Sequence, residues 1–326
     1  MKICVVGAGA IGGALAALLA RGGHDVSVVA RGAHLRAIQA SGLTLRAGAD
    51  TIVQRCPASD DPAAFGAQDV ILIGLKAHSV APMLPRLQPL LGPDTAVIPA
   101  LNGIPWWYFH RSGGPFEGQA VRCLDPDGAM LAALDPARIV GCVIFGAGDV
   151  PEPGVVRQTS ADQPLTLGEP DGSNSPRLAR IAAALGVPGI KIATERRIRD
   201  VVWTKLLGNV AFNPVSALAR AHMQQVMGHP RLAALVRALM GEAMTVGRAH
   251  GVSFTMTVDQ RLDMAARLGP VKPSMLQDVE QGRPMEVEAI VGAVAELGRL
   301  AGVPTPTVDA VHALIAGRDA TLRDAG

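Results

Sequence analysis

The sequence has little of what would set it apart from an ordinary globular enzyme. Four cysteines in 326 residues, Cys4, Cys56, Cys123 and Cys142, are scattered without C-x-x-C spacing. That excludes a disulfide framework, gives no support to a zinc site, and suits a reducing cytoplasm. The histidines show no metal-ligand spacing, so no metal is expected. No run reaches the roughly 20 uninterrupted apolar residues of a membrane span. The apolar N-terminus is broken by Gly7, Gly9, Gly12 and Gly13 and lacks the core of a secretory signal. A membrane is therefore no expected partner. Charge of one sign is missing as well: 30 basic residues stand against 28 acidic ones, leaving +2, and no Lys/Arg run forms a patch for phosphate backbones. Nucleic acid is not expected either.

What is present is apolar and small. Hydrophobic residues make up 49% and charged residues 18%, with mean hydropathy +0.28, a composition that buries a core and excludes disorder. At about 150 residues per domain, the length implies two domains. Lys2-Ile3-Cys4-Val5-Val6 reads as a buried strand, a small-residue helix follows to about Arg21, and Asp25-Val26-Ser27-Val28-Val29-Ala30 reads as a second strand. Apolar runs at 70–75, 96–98, 139–145, 154–158 and 190–193 continue a strand pattern, and the early ones alternate with helices as in a covered parallel sheet. From about Glu195 long Ala/Leu/Met helices take over. The expected fold is a Rossmann-type α/β domain over 1–194 and an all-helical domain over 195–326, with the active site in the cleft that joins them.

Between the first strand and helix stands Gly7-Ala8-Gly9-Ala10-Ile11-Gly12. The glycines serve a tight turn, close backbone approach to a pyrophosphate, and close helix-on-strand packing, while the helix start offers free N–H groups to phosphate. NAD enzymes usually carry an acidic residue at the end of the second strand; here Ala30-Arg31 stands there. A guanidinium binds a 2′-phosphate by paired, charge-assisted hydrogen bonds, which favours NADPH. The plainer reading leaves Arg31 as a solvated loop residue.

In the segment 201–216, Lys205, Asn209, Asn213 and Ser216 fall within about 80° of one another on an otherwise apolar helix. Unpaired buried polar groups cost about 1–3 kcal/mol each, so this stripe is expected to line a cleft. Gly208 and Pro214 break helix rules beside it, which often marks a site. The alternative is a snorkelling lysine with two asparagines capping a helix break.

Together these residues resemble the ketopantoate reductases (2-dehydropantoate 2-reductases). The resemblance is carried by the glycine loop, Ala30-Arg31-Gly32, Gly74-Leu75-Lys76, Leu101-Asn102-Gly103, Pro153-Gly154-Val155-Val156, Trp203-Thr204-Lys205 with Asn209 and Asn213, Pro273-Ser274-Met275-Leu276-Gln277-Asp278, and Met285-Glu286-Val287-Glu288, in that order along nearly the whole chain. It implies a C-terminal domain like that of 6-phosphogluconate dehydrogenase and a cytoplasmic, NADPH-dependent oxidoreductase acting on CH–OH groups. The implied reaction reduces 2-dehydropantoate to pantoate on the route to pantothenate and coenzyme A. By the same matching Lys205 is the catalytic lysine and proton donor, and Glu286 the catalytic glutamate. Asn209, Asn213, Ser274 and Asn102 bind substrate, Ser274 at its carboxylate. Gly7, Ala8, Gly9, Ala10, Ile11, Gly12, Arg31, Lys76 and Asn102 bind cofactor.

Three features depart from the family pattern. Met285 replaces the usual Thr, Glu288 the usual Asp, and Trp106, Trp107, Tyr108 and Phe109 crowd aromatics directly after the Asn102 motif. The aromatic cluster is either a hydrophobic plug or a pocket reshaped for a bulkier 2-oxo acid. A non-catalytic NADPH sensor is the reading from another class, and the Lys205/Glu286 pair speaks against it. A homodimer buried through the apolar C-terminal helices is left open.

Overall fold

Ile3, Cys4, Val5 and Val6 are wholly buried, as a strand covered on both faces must be. In the computed structural model, which describes Met1–Asp324, they belong to β1 (Lys2–Val6), the middle strand of a five-stranded sheet. Its other members are β2 (Asp25–Val29), β5 (Ala58–Ser59), β6 (Gln68–Ile73) and β7 (Leu91–Pro99), in the order β5-β2-β1-β6-β7 with every pairing parallel. Helices α1 (Ala10–Arg21) and α2 (Gly32–Ser41) follow β1 and β2. The strand order reverses between β1 and β6, the switch point at which doubly wound sheets bind their ligands.

Two smaller sheets complete this first unit. β3 (Leu43–Ala47), β4 (Asp50–Gln54), β9 (Gly148–Glu152) and β10 (Val155–Gln158) run in the order β4-β3-β10-β9. β8 (Gly141–Ile144), β11 (Gln163–Gly168) and β12 (Ile190–Thr194) run β12-β11-β8, accompanied by helices α3 (Ala129–Ala133) and α4 (Pro176–Leu185). The backbone falls into two units, of which the first holds 1–101, 107–120 and 128–198. The first unit ends at Ile198, and Asn102–Trp106 and Val121–Asp127 go with the helices. Hydrogen bonds explain those two excursions. The Ile104 amide donates to the Ala289 carbonyl (2.8 Å), and the Arg122 and Cys123 amides donate to the two carboxylate oxygens of Glu296 (2.7 Å each).

The second unit is built from α5 (Ile198–Ala219), α6 (Met223–Gly228), α7 (Pro230–Ala249), α8 (Val258–Ala266), α9 (Ser274–Glu280), a π-helical turn (Glu288–Gly292), α10 (Ala293–Leu300) and α11 (Pro306–Asp324). α5 runs unbroken through Gly208 and Pro214. Glu242 of α7 caps α11, its carboxylate accepting from the Thr307 and Val308 amides at 2.9–3.0 Å. A carboxylate at the positive end of a helix dipole is well placed. No helix among the described residues is long and apolar enough to cross a membrane.

The aromatic segment settles as packing. Trp106, Trp107, Tyr108 and Phe109 are each no more than 2% exposed. Tyr108 meets Phe109 edge-on with centroids 5.0 Å apart, and Phe109 leans on Phe116 at 5.6 Å. Trp107 lies against Gly141, where a Cβ would come within 2.8 Å of its ring. The pocket reading of this cluster is corrected accordingly: its rings are committed to core contacts.

His312 of α11 and Glu288 of the π-turn form a half-exposed pair, Nε2 to Oε1 at 3.0 Å. The hydrogen bond with Glu288 raises the His312 pKa against burial, with charge attraction adding to it. Because the folded value lies above the unfolded one, the pair's stabilisation is complete below the ordinary histidine value and is lost as pH rises through the raised value. Denaturant titrations of the wild type and His312→Gln are expected to show a wider stability gap near about pH 6 than near about pH 8.5. A gap that widened at the higher pH would contradict the assignment.

Candidate active site

The residues singled out in the sequence fall into two groups, one in each unit. In the first, the loop from Gly7 to Gly12 leaves β1 at the switch point. Gly7 has φ +99°, and a Cβ there would lie 2.7 Å from the Leu75 side chain, while a Cβ on Gly12 would lie 1.9 Å from the Gly7 carbonyl. Only glycine permits that double approach. It seats Gly74-Leu75, the segment leading to Lys76, directly against the loop. Above Gly9 the space is open, α1 has no side-chain cap, and its first turn carries no acid. Free amides and an uncompensated helix dipole are thus presented to an anion, and the cradle fits a dinucleotide pyrophosphate.

His34 fixes this loop. The Gly154 amide donates to its Nδ1 (2.9 Å), so Nε2 carries the hydrogen and donates to the Ala8 carbonyl (2.8 Å). Sequence reading missed His34; its position just after Arg31-Gly32 was the available signal. Arg31 is exposed at the start of α2, and its guanidinium makes no hydrogen bond or ion pair among the described residues. Lys76 is half-buried beyond β6, opening a short 3-10 turn.

In the second unit, Lys205, Asn102 and Glu286 form one hydrogen-bonded chain. Lys205 Nζ donates to Asn102 Oδ1 at 2.8 Å, and Asn102 Nδ2 donates to Glu286 Oε2 at 3.1 Å. An ammonium only donates and a carboxylate only accepts, so the carboxamide's orientation is forced. A side chain joining the two must accept at one end and donate at the other, as a carboxamide does. Backbone contacts set the spacing. Gly103 has φ +80°, and a Cβ there would fall 2.1 Å from the Ala289 carbonyl, the same group that accepts the Ile104 amide. That carbonyl lies inside the π-turn; such turns recur at functional sites.

On the other side of Glu286, the buried Asp319 of α11 accepts the Met285 amide at 2.7 Å and is itself paired with Arg323. Asp319 is a second residue that sequence reading missed, since nothing local to α11 announces a contact 34 positions away. The two departures from the family pattern are absorbed here. Met285 is buried, and Glu288 turns to His312 instead of joining Glu286.

The stripe on α5 continues from Lys205 through half-buried Asn209 to buried Asn213 and Ser216. Asn213 Nδ2 and Ser216 Oγ are buried with no hydrogen-bond partner among the described residues, which is costly unless a ligand supplies one. Ser274 is half-buried at the first position of α9, and its hydroxyl makes no hydrogen bond to the chain of three. Asp278 further along α9 is buried and paired with Arg283 at 3.0 Å, a structural role.

Comparison with known proteins gives the family. The family profile described as ketopantoate reductase PanE/ApbA matches residues 3–107, and the corresponding C-terminal profile matches residues 197–319. The chain belongs to the ketopantoate reductase family. It is 45% identical to the 2-dehydropantoate 2-reductase of Mesorhizobium japonicum over 97% of both chains. The crystal structure of a candidate ketopantoate reductase from Ralstonia solanacearum MolK2 superposes with a TM-score of 0.93 at 38% identity, covering 98% of each chain. That of the 2-dehydropantoate 2-reductase from Geobacter metallireducens GS-15 gives 0.85 at 27%, covering 98% of this chain and 100% of the other. A Rossmann-type sheet with a helical C-terminal unit is the fold common to this family.

Asn102→Asp keeps a hydrogen-bond acceptor for Lys205 but sets two carboxylates face to face at Glu286. Reductase kcat/KM is expected to fall by about 10²-fold, the scale of losing one preorganised contact. Wild-type kinetics in a folded variant would contradict the geometry.

Proposed function

We propose that the protein reduces 2-dehydropantoate to pantoate with NADPH. The observation that carries this reading is the Lys205–Asn102–Glu286 chain, which joins a proton-bearing cation to a carboxylate through one carboxamide. When bound, NADPH would supply the hydride; the loop from Gly7 to Gly12 would hold its pyrophosphate and Arg31 its 2′-phosphate. Lys76 would serve the cofactor, and Asn102 both cofactor and substrate. As hydride reaches the ketone carbon, charge grows on the oxygen; the Lys205 ammonium stabilises that charge and delivers its proton, becoming neutral until solvent restores it. Asn102, by accepting from one hydrogen of the ammonium, orients the group.

Glu286 accepts a hydrogen bond from the substrate's hydroxyl and so fixes the ketone at reacting distance. Asn209, Asn213 and Ser274 supply the remaining polar contacts, the unpartnered Nδ2 of Asn213 being a donor that substrate oxygen would satisfy. The domain limits of 1–194 and 195–326 serve as a division of labour, cofactor in the first and proton transfer in the second. The reducing cytoplasm is the setting that free cysteines suit.

Steady-state oxidation of NADPH and of NADH with 2-dehydropantoate, beside 2-oxo acids of increasing bulk, tests the proposal. Turnover of 2-dehydropantoate with a clear NADPH preference is expected, and Arg31→Ala is expected to erase about 1.5–3 kcal/mol of that preference. Lys205→Ala is expected to lose at least about 10²-fold in kcat while still binding NADPH. Unchanged turnover in Lys205→Ala would overturn the mechanism; preference for a bulkier acid would overturn the substrate.

A further inference from the structure

We propose that Arg261 is the cationic anchor for the substrate's carboxylate. This rests on the reading of the site as a 2-oxo-acid reductase and adds a residue that neither the family motifs nor the polar stripe contains. Arg261 lies on α8, half-buried, and its guanidinium is laid against α5 at Gly208. A Cβ at position 208 would come within 2.5 Å of Arg261 Nη2 and 3.3 Å of Cζ. Glycine at that position opens the slot in which the guanidinium sits. The residue that broke helix propensity in the sequence thus has a physical reason.

Position 208 is three residues from Lys205, so the two are neighbours on the helix surface, about 5–6 Å apart at Cβ. In a 2-oxo acid the carboxylate is bonded directly to the ketone carbon. A cation that holds the carboxylate must therefore stand within one helical neighbour of the cation that protonates the ketone oxygen. Arg261 is so placed.

Its own surroundings leave it short of a partner. Nε is buried without a hydrogen bond, and no carboxylate pairs with the guanidinium among the described residues. Four other arginines of this unit do find a carboxylate: Arg237 takes Asp259, Arg283 takes Asp278, Arg299 takes Asp309, and Arg323 takes Asp319. Burial lowers the Arg261 pKa with nothing opposing it. Desolvating a guanidinium beside a second cation is unfavourable unless an anion arrives, and a planar fork is matched to a carboxylate.

The test uses the acid and its uncharged amide. Arg261→Gln is expected to raise KM for 2-dehydropantoate about 10- to 100-fold while leaving KM for the 2-dehydropantoate amide within about 2-fold, and Arg261→Lys is expected to recover part of the loss. Gly208→Ala provides a variant that improves helix propensity, so its fold is secure. Its methyl group displaces the guanidinium, and KM for the acid is expected to rise while Tm does not fall. Equal losses on acid and amide, or no change on either, would overturn the anchor. Thermal stabilisation by pantoate against pantoamide reads the same site without turnover: it is expected for pantoate with the wild type and lost in Arg261→Gln. Pantoate stabilisation that survived in Arg261→Gln would overturn the proposal. A wild type that is stabilised by pantoate through Arg261 yet reduces no 2-oxo acid would refute the reductase reading and leave the anchor standing.

Discussion

The site depends on one carboxamide. Asn102 faces an ammonium with its oxygen and a carboxylate with its nitrogen, and both neighbours fix which way it turns. A rigid planar group thus touches both charged side chains and orders them relative to each other. The surrounding backbone serves this placement: Gly103 lets the chain turn onto the Ala289 carbonyl, and Asp319 secures the amide that precedes Glu286.

The cofactor end follows the same economy of backbone contacts. Gly7 and Gly12 bring three chain segments closer than any side chain allows, and His34 ties the loop to Gly154 through a tautomer that its two partners dictate. The uncapped start of α1 then gains little from protein and much from an anion. Preorganisation of this kind lowers the entropic cost of binding at the site itself.

Much of the fold was legible in the sequence because parallel sheets covered on both faces leave continuous apolar runs, as Ile3–Val6 and Val70–Ile73 do. Strands such as β3 and β4 carry mixed burial and lie in a mixed sheet, so their pattern was faint. The polar stripe on α5 was readable from helical spacing. Lys76, Asn102, Ser274 and Glu286 are candidates mainly through the family resemblance, since an isolated loop or helix residue has no periodicity to betray it. His34, Asp319 and Arg261 escaped because their importance lies in partners 26, 34 and more than fifty positions away. The aromatic segment at 106–109 left plug and pocket both open, because sequence gives side-chain bulk but not the direction in which it packs.

The central claim is that Lys205, Asn102 and Glu286 act as one unit, and a double-mutant cycle tests it most directly. Asn102→Ala and Glu286→Gln, singly and together, are to be compared in kcat/KM for 2-dehydropantoate with NADPH. The account predicts that the double variant loses about as much as the more damaged single variant, giving a coupling of roughly 1–3 kcal/mol. Losses that simply add would mean that the two side chains work independently, and the chain of hydrogen bonds would then not be the organising element of the site.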